Sequence, residues 1–232
     1  MTELLYLQDS YLKEFEATIT GVEGRLVALD KTAFYPSGGG QPCDFGSLVG
    51  EYTYKVLSVK KISGQVVHEV DKEGLKAGDK IKGRIDWERR YKLMRAHTAS
   101  HILSEVLFRA EGCLCTGNQL DIGTCREDIS IQELNEEKAR GFIAETNKII
   151  SKDLPIAAQF MPTEEALKIP QVCKLAKGLP PGLKELRIVS IGDFDIQADG
   201  GTHVKQTSEI GEIKYIGTEN KGKNNRRLYF SL

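Results

Sequence analysis

The chain has 232 residues, a net charge of −1, 40% apolar and 28% charged residues. This length is enough for one large core or two ordinary ones, and the balanced charge excludes a protein that binds nucleic acid through a strong overall positive field. No apolar stretch approaches the ~20 residues of a membrane-spanning helix, and the N-terminus lacks the basic start and apolar run of a secretory signal. We therefore expect a cytoplasmic protein.

Residues 1–88 have the pattern of a small β-barrel. Short runs rich in β-branched residues, at 17–22 and 25–29, are separated by a glycine turn, as in a hairpin. Apolar and basic residues alternate over 80–85, which is typical of a half-exposed strand. Several short strands joined by glycine turns predict a barrel domain.

A glycine-rich stretch, FYPSGGGQPCDFG, occupies residues 34–46. Three consecutive glycines cost backbone entropy on folding and therefore need a reason. One interpretation is a long turn between two strands. The other is a backbone platform that lets a ligand or another domain approach closely, and the residues alone favour neither.

The pattern changes near residue 87, where a helix is predicted over 88–110. Its buried stripe repeats at helical spacing and comprises Leu93, Ala96, Ser100, Leu103 and Leu107. Gly112 is predicted to end this helix.

The rest of the chain predicts an α+β domain over residues 89–232, with an antiparallel sheet packed against helices. A second helix is expected over 131–152, and a short one over 162–169 with Thr163 as its cap. Strands are expected near Cys115 and over 125–131, 183–191, 211–219 and 226–232.

Five cysteines are present, and their odd number and spacing predict free buried thiols in a reducing compartment. They are Cys43, Cys113, Cys115, Cys125 and Cys173.

His97 and His101 are one helical turn apart, so both imidazoles lie on one face, close enough to bind a single metal ion. Zinc favours such nitrogen ligands and takes four ligands, or three and a water molecule. Taken alone, this spacing is a weak signal, because two histidines on a helix are more often surface or hydrogen-bonded residues.

A third histidine lies in the glycine turn DGGTH, residues 199–203. The two glycines permit close backbone approach, so Asp199 and His203 from this turn and two histidines from the helix would complete a tetrahedral set. The alternative is a polar loop with a solvated histidine. The fourth histidine, His68, is interpreted as a half-buried strand residue.

Residues 218–230 gather four basic side chains: Lys221, Lys223, Arg226 and Arg227. One interpretation is a solvated hairpin, which is the usual place of a charged run. The other is a loop that contacts phosphates, since lysine and arginine supply charge and the neighbouring asparagines supply neutral hydrogen bonds. Tyr229 would stack on a base or lie in the core.

Together these stretches resemble the AlaX proteins, which are free-standing alanyl-tRNA editing enzymes, and the editing region of alanyl-tRNA synthetases. The resemblance is carried, in the family's order, by FYPSGGGQP (34–42), RAHTASHIL (95–103), DGGTHV (199–204) with EIG (209–211), and KGKNNRRL (221–228). The motifs span nearly the whole chain. The N-terminal barrel with its glycine-rich motif resembles the medium-length form of the family, with an editing domain after the barrel.

The resemblance implies a hydrolase that acts in trans on tRNA(Ala) charged with the wrong amino acid, chiefly serine and sometimes glycine. A synthetase pocket shaped for alanine rejects such near-isosteres poorly. The implied zinc ion has the ligands His97, His101, Asp199 and His203. The three histidines are the implied catalytic residues together with Thr32, which matches the position implicated in recognition of serine. The implied contacts to substrate and tRNA are Gly38, Gly39, Gly40, Gln41, Lys221, Lys223, Arg226 and Arg227.

One position departs from the family pattern. The turn usually reads Cys-Gly-Gly-Thr-His, and Asp199 stands here at the place of the cysteine. A carboxylate is an acceptable zinc ligand, so the site remains chemically sound, although it is harder and open to other divalent metals or weaker binding. Alternatively, Asp199 orients a histidine and water fills the fourth position.

The favoured hypothesis is a metal-dependent aminoacyl-tRNA deacylase, in which the metal lowers the pKa of its water or holds the aminoacyl group. Two alternatives stay open. One is a non-catalytic tRNA-binding relative whose metal site is degraded. The other is a small-molecule metallohydrolase without a role on RNA.

Overall fold

The computed structural model describes residues 2–169, 172 and 182–232. The chain divides into two compact units, Met1–Leu93 and Met94–Leu232. This division lies inside the first α-helix, Trp87–Glu111. The boundary expected between residues 88 and 89 lies in the same helix, five residues earlier. None of the described helices is long and apolar enough to cross a membrane.

The first unit is built from eight strands: β1 (Glu3–Leu4), β2 (Glu14–Glu23), β3 (Leu26–Leu29), β4 (Lys31–Thr32), β5 (Gly46–Val49), β6 (Thr53–Ile62), β7 (Gln65–Val70) and β8 (Lys80–Ile85). Six of them close into a barrel in the order β2-β3-β7-β6-β5-β8, and every pairing in it is antiparallel. β1 and β4 form a separate parallel pair. The predicted small barrel is confirmed.

The barrel interior is filled by alternate residues of each strand, since successive side chains of a strand point to opposite faces. On β7, Val66, His68 and Val70 share the inward face and are 0–1% exposed. The interpretation of His68 as half-buried was therefore wrong. Its neighbours in sequence are only partly buried, but its own position in the alternation is an interior one.

The second unit contains the elements α1 (Trp87–Glu111, shared with the first unit), β9 (Cys115–Gln119), β10 (Cys125–Ile129), α2 (Glu136–Ile150), β11 (Ile156–Pro162), α3 (Thr163–Ala166), β12 (Glu185–Ile191), β13 (Asp195–Ala198), β14 (Lys214–Asn220) and β15 (Arg226–Ser231). They form two antiparallel sheets, β14-β15-β10-β9 and β11-β12-β13, and α2 packs against β14. The predicted α+β architecture is confirmed.

Helix α1 is buried around much of its circumference. The predicted stripe is buried, and so are Met94, Ala99 and Ile102 on other faces. A helix enclosed in this way is a core element, and it carries its polar residues into the interior with it. Gly112 follows the last residue with φ +64°, which confirms the predicted stop because glycine adopts this left-handed conformation without strain.

Some local predictions were wrong. β11 was missed, because Ile156–Pro162 is largely exposed and lacks an apolar alternation. β13 was missed because its four residues adjoin the glycine turn. Helix α2 begins at Glu136, not near 131, because the Asn135 side chain caps it by accepting from the backbone of Lys138. Thr163 is the first residue of α3 and not its cap.

Four cysteines of the described residues are free and buried: Cys43, Cys113, Cys115 and Cys125. Cys173 lies outside the described residues. Burial raises the pKa of the Cys125 thiol to about 11, and thiols protonated in this way are unreactive.

Candidate metal centre

Four side chains of the second unit converge on one point: His97, His101, Asp199 and His203. Their candidate ligand atoms all lie within 4.8 Å of one another. The ring centroids of His203 lie 4.4 Å from those of His97 and 4.7 Å from those of His101. Two segments about a hundred residues apart in sequence thus meet, and they form a group that could hold a metal ion.

All three histidines present Nε2 to the carboxylate of Asp199. Nε2 of His97 lies 3.6 Å and Nε2 of His101 4.0 Å from Oδ1, and Nε2 of His203 lies 2.9 Å from Oδ2. The side chains are 3–18% exposed. Three imidazole nitrogens around one carboxylate oxygen pair form a nitrogen-rich set that suits zinc.

The two glycines of the turn play different parts. A Cβ at Gly201 would lie 2.1 Å from Cε1 and 2.3 Å from Nδ1 of His97, so only glycine lets the turn approach the imidazole this closely. A Cβ at Gly200 would meet nothing within 4 Å. The backbone of Gly201 also donates a 2.6 Å hydrogen bond to Oδ2 of Asp199, which holds the carboxylate in place.

Arg187 on β12 holds the glycine turn through hydrogen bonds to its backbone. Its guanidinium donates to the backbone carbonyls of Asp199, at 3.1 Å, and Gly201, at 2.9 Å. The arginine is 9% exposed, so the contact is protected from water. Sequence reasoning missed this residue, since nothing in ELRIVSI distinguishes a buried arginine from an outward-facing one.

Two further polar side chains contact the outer nitrogens of the histidines. Thr98 Oγ1 lies 3.1 Å from Nδ1 of His203, and Asp195 Oδ2 lies 3.5 Å from Nδ1 of His101. At that longer distance, Nδ1 of His101 has no hydrogen-bond partner within the described part of the chain. Both residues were missed, although Thr98 stands between the two histidines of AHTASH.

The electrostatics of the cluster favour a bound cation. Burial lowers the pKa of His97 well below its usual value and that of His203 to about 4. Burial also raises the pKa of Asp199, but the three histidines outweigh it and hold this pKa well below the usual range. Burial also lowers the pKa of His101, but the carboxylates of Asp195 and Asp199 outweigh it and raise this pKa above its usual value. An ionised carboxylate beside two imidazoles that resist protonation suits metal binding, which requires unprotonated ligands.

Thr32 lies in the first unit and is fully buried. Nδ1 of His68 lies 3.1 Å from the Val27 carbonyl, which only accepts, so Nδ1 carries the ring proton. Nε2 of His68, 2.9 Å from Thr32 Oγ1, then accepts from the threonine hydroxyl. The backbone of Phe34 donates to the same oxygen. The Thr32 proton is thus committed, and one lone pair is left.

The glycine-rich stretch forms a tight turn. The backbones of Gly38 and Gln41 donate to each other's carbonyls at 3.1 and 2.9 Å. Between them, Gly39 and Gly40 have φ angles of +56° and +83°. Residues other than glycine rarely adopt this backbone conformation. The Tyr35 hydroxyl donates to the Gly38 carbonyl, and Gln41 is 2% exposed.

A fully buried ion pair holds the chain on either side of this turn. Nε of Arg90 donates to both carboxylate oxygens of Asp44, at 2.9 and 3.0 Å, and its other nitrogens donate to the carbonyls of Ser10 and Ala33. Asp44 also accepts from the backbone of Tyr35 at 2.6 Å.

The arginines of the basic hairpin are engaged within the protein. Arg227 donates to both carboxylate oxygens of Asp128, at 2.6 and 2.9 Å. Arg226 donates to the backbone carbonyls of Gly222 and Asn225, at 2.6 and 2.9 Å. These bonds favour a structural part for both guanidinium groups.

The lysines of the hairpin differ from the arginines. Lys221 pairs with Glu219 at 3.0 Å, and the hydroxyl of Tyr229 donates to the same carboxylate. Lys223 is exposed and forms no ion pair in the part of the chain that the structure describes. Of the four basic residues predicted to contact tRNA, Lys221 and Arg227 pair with carboxylates, and Arg226 donates to backbone carbonyls. Lys223 has neither kind of contact among the described residues.

Comparison with known proteins gives consistent matches. Residues 186–229 match the family described as the threonyl and alanyl tRNA synthetase second additional domain, and residues 4–89 match the class II (A) tRNA synthetases. The chain is 46% identical, over its full length, to alanyl-tRNA editing protein AlaX-M of Saccharolobus solfataricus, of which 99% is covered. The same values hold for alanyl-tRNA editing protein AlaX-M of Methanosarcina barkeri. The chain is also 39% identical to the alanine–tRNA ligase of Pyrococcus abyssi, over 99% of this chain and 26% of the ligase.

Proposed function

We infer that this chain, which belongs to the AlaX family of alanyl-tRNA editing proteins, is a metal-dependent deacylase that hydrolyses mischarged tRNA(Ala) in trans. The proposal depends most on one observation: four candidate ligand atoms from two distant segments lie within 4.8 Å of one another. A carboxylate and three imidazoles are a sound ligand set for zinc, so Asp199 in place of the family's cysteine does not by itself argue for a degraded site.

Within this proposal, the residues of the chain position the zinc ion and balance its charge. His97, His101 and His203 would hold zinc through Nε2, and Asp199 would add the negative charge that balances it. When bound, zinc supplies Lewis acidity toward an ester carbonyl or an attacking water. Arg187 would hold the turn in place through its hydrogen bonds to the backbone carbonyls of Asp199 and Gly201.

We propose serine as the chief amino acid removed, with Thr32 as the group that recognises its hydroxyl. Because the Thr32 proton is donated to His68, only a lone pair remains, and this lone pair would accept from the serine hydroxyl. A site that hydrogen-bonds a hydroxyl strongly disfavours an amino acid that lacks one, which disfavours alanine and glycine. Thr32 is fully buried, so this contact requires a local opening of the structure.

For tRNA(Ala), we propose contacts at two places: the glycine-rich turn, through Gly38, Gly39, Gly40 and Gln41, and the basic hairpin, through Lys221, Lys223, Arg226 and Arg227. Support differs among these residues. Lys223 offers a free charge to a phosphate, whereas Arg226 and Arg227 would have to exchange intramolecular hydrogen bonds for phosphate contacts. A role in translation makes the cytoplasm the expected location.

The test combines elemental analysis with deacylation of tRNA(Ala) charged with serine, glycine or alanine. We expect the purified chain to contain about one zinc ion and to hydrolyse the serine ester fastest. His97→Ala and His203→Ala should lose the metal and the activity together. His68→Gln is the matched control, because it removes a buried histidine outside the cluster and should keep the metal.

Each alternative predicts a different result. A non-catalytic relative would bind tRNA(Ala) without zinc and without turnover. A small-molecule metallohydrolase would bind zinc, yet its activity would not depend on tRNA or on salt concentration. Unchanged turnover of the serine ester in both histidine variants would refute the catalytic assignment.

A further inference from the structure

Thr98 lies between the two helical histidines and faces the glycine turn. It is fully buried. Three polar atoms surround its hydroxyl oxygen: the Met94 carbonyl at 3.0 Å, Nδ1 of His203 at 3.1 Å and the backbone nitrogen of Val204 at 3.3 Å. A single side-chain oxygen on α1 thus contacts two consecutive residues of the turn.

These contacts can be assigned completely once Nε2 of His203 is a metal ligand. A ligating Nε2 carries no proton, so the ring proton lies on Nδ1. Nδ1 then donates to Thr98 Oγ1, the Val204 backbone donates to the same oxygen, and the Thr98 hydroxyl donates to the Met94 carbonyl. Each donor has an acceptor, and both lone pairs of the hydroxyl oxygen are used.

We propose that Thr98 is a positioning residue of the metal centre, which assigns the Nε2 lone pair of His203 to the ion. The proposal rests on the metal-dependent function above and adds a residue outside the ligand set. Without this acceptor, the Nδ1–H of His203 would be buried with no partner, and an unpaired buried donor costs free energy. The metal-bound tautomer would therefore become less favourable, and zinc affinity would fall.

Thr146 on α2 is a matched control for the local helix contact. It is also fully buried, and its hydroxyl donates to the carbonyl of Phe142, four residues earlier, at 2.8 Å. The same hydrogen bond joins Thr98 to Met94. Replacing Thr146 by valine therefore removes the helix bond alone. Replacing Thr98 by valine removes the helix bond and also the oxygen that accepts from His203 and from the Val204 backbone.

The experiment measures zinc affinity of metal-free protein by competition with a chromophoric chelator. Thr98→Val should weaken zinc binding by about 10–100-fold, the range typical of partners that orient a ligand, and Thr146→Val should leave it unchanged. Thr98→Ser and Thr98→Ala form a second pair, because both lose the methyl group and differ only in the oxygen. The serine variant should bind zinc nearly as tightly as the original chain, and the alanine variant should not.

Circular dichroism of the metal-free proteins shows whether each variant is folded, and the serine and alanine pair still decides the question if the valine variant is not. Equal zinc affinity of Thr98→Ser and Thr98→Ala would overturn the role of Thr98 while leaving the metal site intact. Failure of the original chain itself to bind zinc would overturn the metal-dependent function, and the role of Thr98 with it.

Discussion

Arg90 in the first unit is a fully buried charged side chain, and Asp199 in the second is a charged side chain that is 18% exposed. The two are neutralised in different ways. The guanidinium of Arg90 donates to Asp44 and to two backbone carbonyls, and both members of this pair are 0% exposed. The carboxylate of Asp199 faces three imidazoles instead. The other ring nitrogen of His101, Nδ1, has no hydrogen-bond partner among the described residues.

The difference distinguishes a charge that the protein itself neutralises from one that is arranged as a cation ligand would be. Burying an ion pair is tolerable when additional hydrogen bonds satisfy the remaining donors and acceptors, and the Arg90–Asp44 pair meets this condition with protein groups alone. In the histidine cluster, three imidazoles and a carboxylate instead place candidate ligand atoms within 4.8 Å of one another. If the cluster binds the proposed cation, the free energy of binding would contribute to the stability of this region.

The greatest change in stability is expected when the Arg90–Asp44 ion pair is broken. Asp44→Ala would leave Arg90 buried without its counter-charge, and we expect a loss of about 3–5 kcal/mol in the free energy of unfolding. Urea denaturation measures it, with Glu88→Ala as control because the Glu88–Lys92 pair is exposed and should not matter measurably. A loss no larger than that of the control would show that the buried pair is not the anchor described here.

The next prediction concerns how the stability of the first unit depends on pH. The fold lowers the pKa of buried His68 to about 4, from 6.5, so the stability it contributes is present above about pH 6.5 and is lost as the pH falls toward 4. Between pH 7 and pH 5, we expect His68 to account for about 2 kcal/mol of the loss. Denaturation of His68→Gln at both pH values should show a shallower dependence.

Zinc sharpens this second prediction. Because His68 is hydrogen-bonded within the protein and outside the cluster, the difference between His68→Gln and the original chain should be the same with and without zinc. If zinc abolished that difference, His68 would belong with the metal-dependent region.

The glycine turn offers a test of how closely the cluster is packed. Gly201→Ala would place a Cβ against the His97 imidazole, so we expect zinc affinity to fall by at least about tenfold, or 1.4 kcal/mol. Gly200→Ala, one residue away in open space, should bind zinc as the original chain does. Competition with a chelator measures both, and equal affinities would contradict the close approach of turn and helix.

The smallest expected effect extends the comparison to the surface hairpin. Arg227 is committed to Asp128, whereas Lys223 has no ion-pair partner among the described residues. If Lys223 contacts one phosphate, Lys223→Ala should reduce the slope of log K against log salt for tRNA(Ala) binding by about 1, without changing the melting temperature. Arg227→Ala should chiefly lower the melting temperature. The reverse result would mean that Arg227 leaves Asp128 for the tRNA.

Local periodicity in the sequence was enough to predict several features of this protein. Alternation and glycine turns predicted the barrel strands, helical spacing predicted the buried stripe of α1, and His97 and His101 had to share a face because 3.6 residues make one turn. The pattern of four distant motifs also identified the family. The positions of short or exposed strands such as β11 could not be found in this way, since their residues carry no periodic apolar signal.

Which distant groups meet could not be predicted from local patterns and became known from the three-dimensional structure. Burial of His68, the difference between Gly200 and Gly201, and the contacts of Thr98 and Arg187 with the turn all depend on distances between segments that are far apart in sequence. Such contacts depend on how the elements pack against one another. Close packing fixes them to within a fraction of an ångström, and local sequence patterns carry no information on such distances. The sequence therefore predicted candidate ligands for a metal ion. The packing of the glycine turn against helix α1 places them within 4.8 Å of one another.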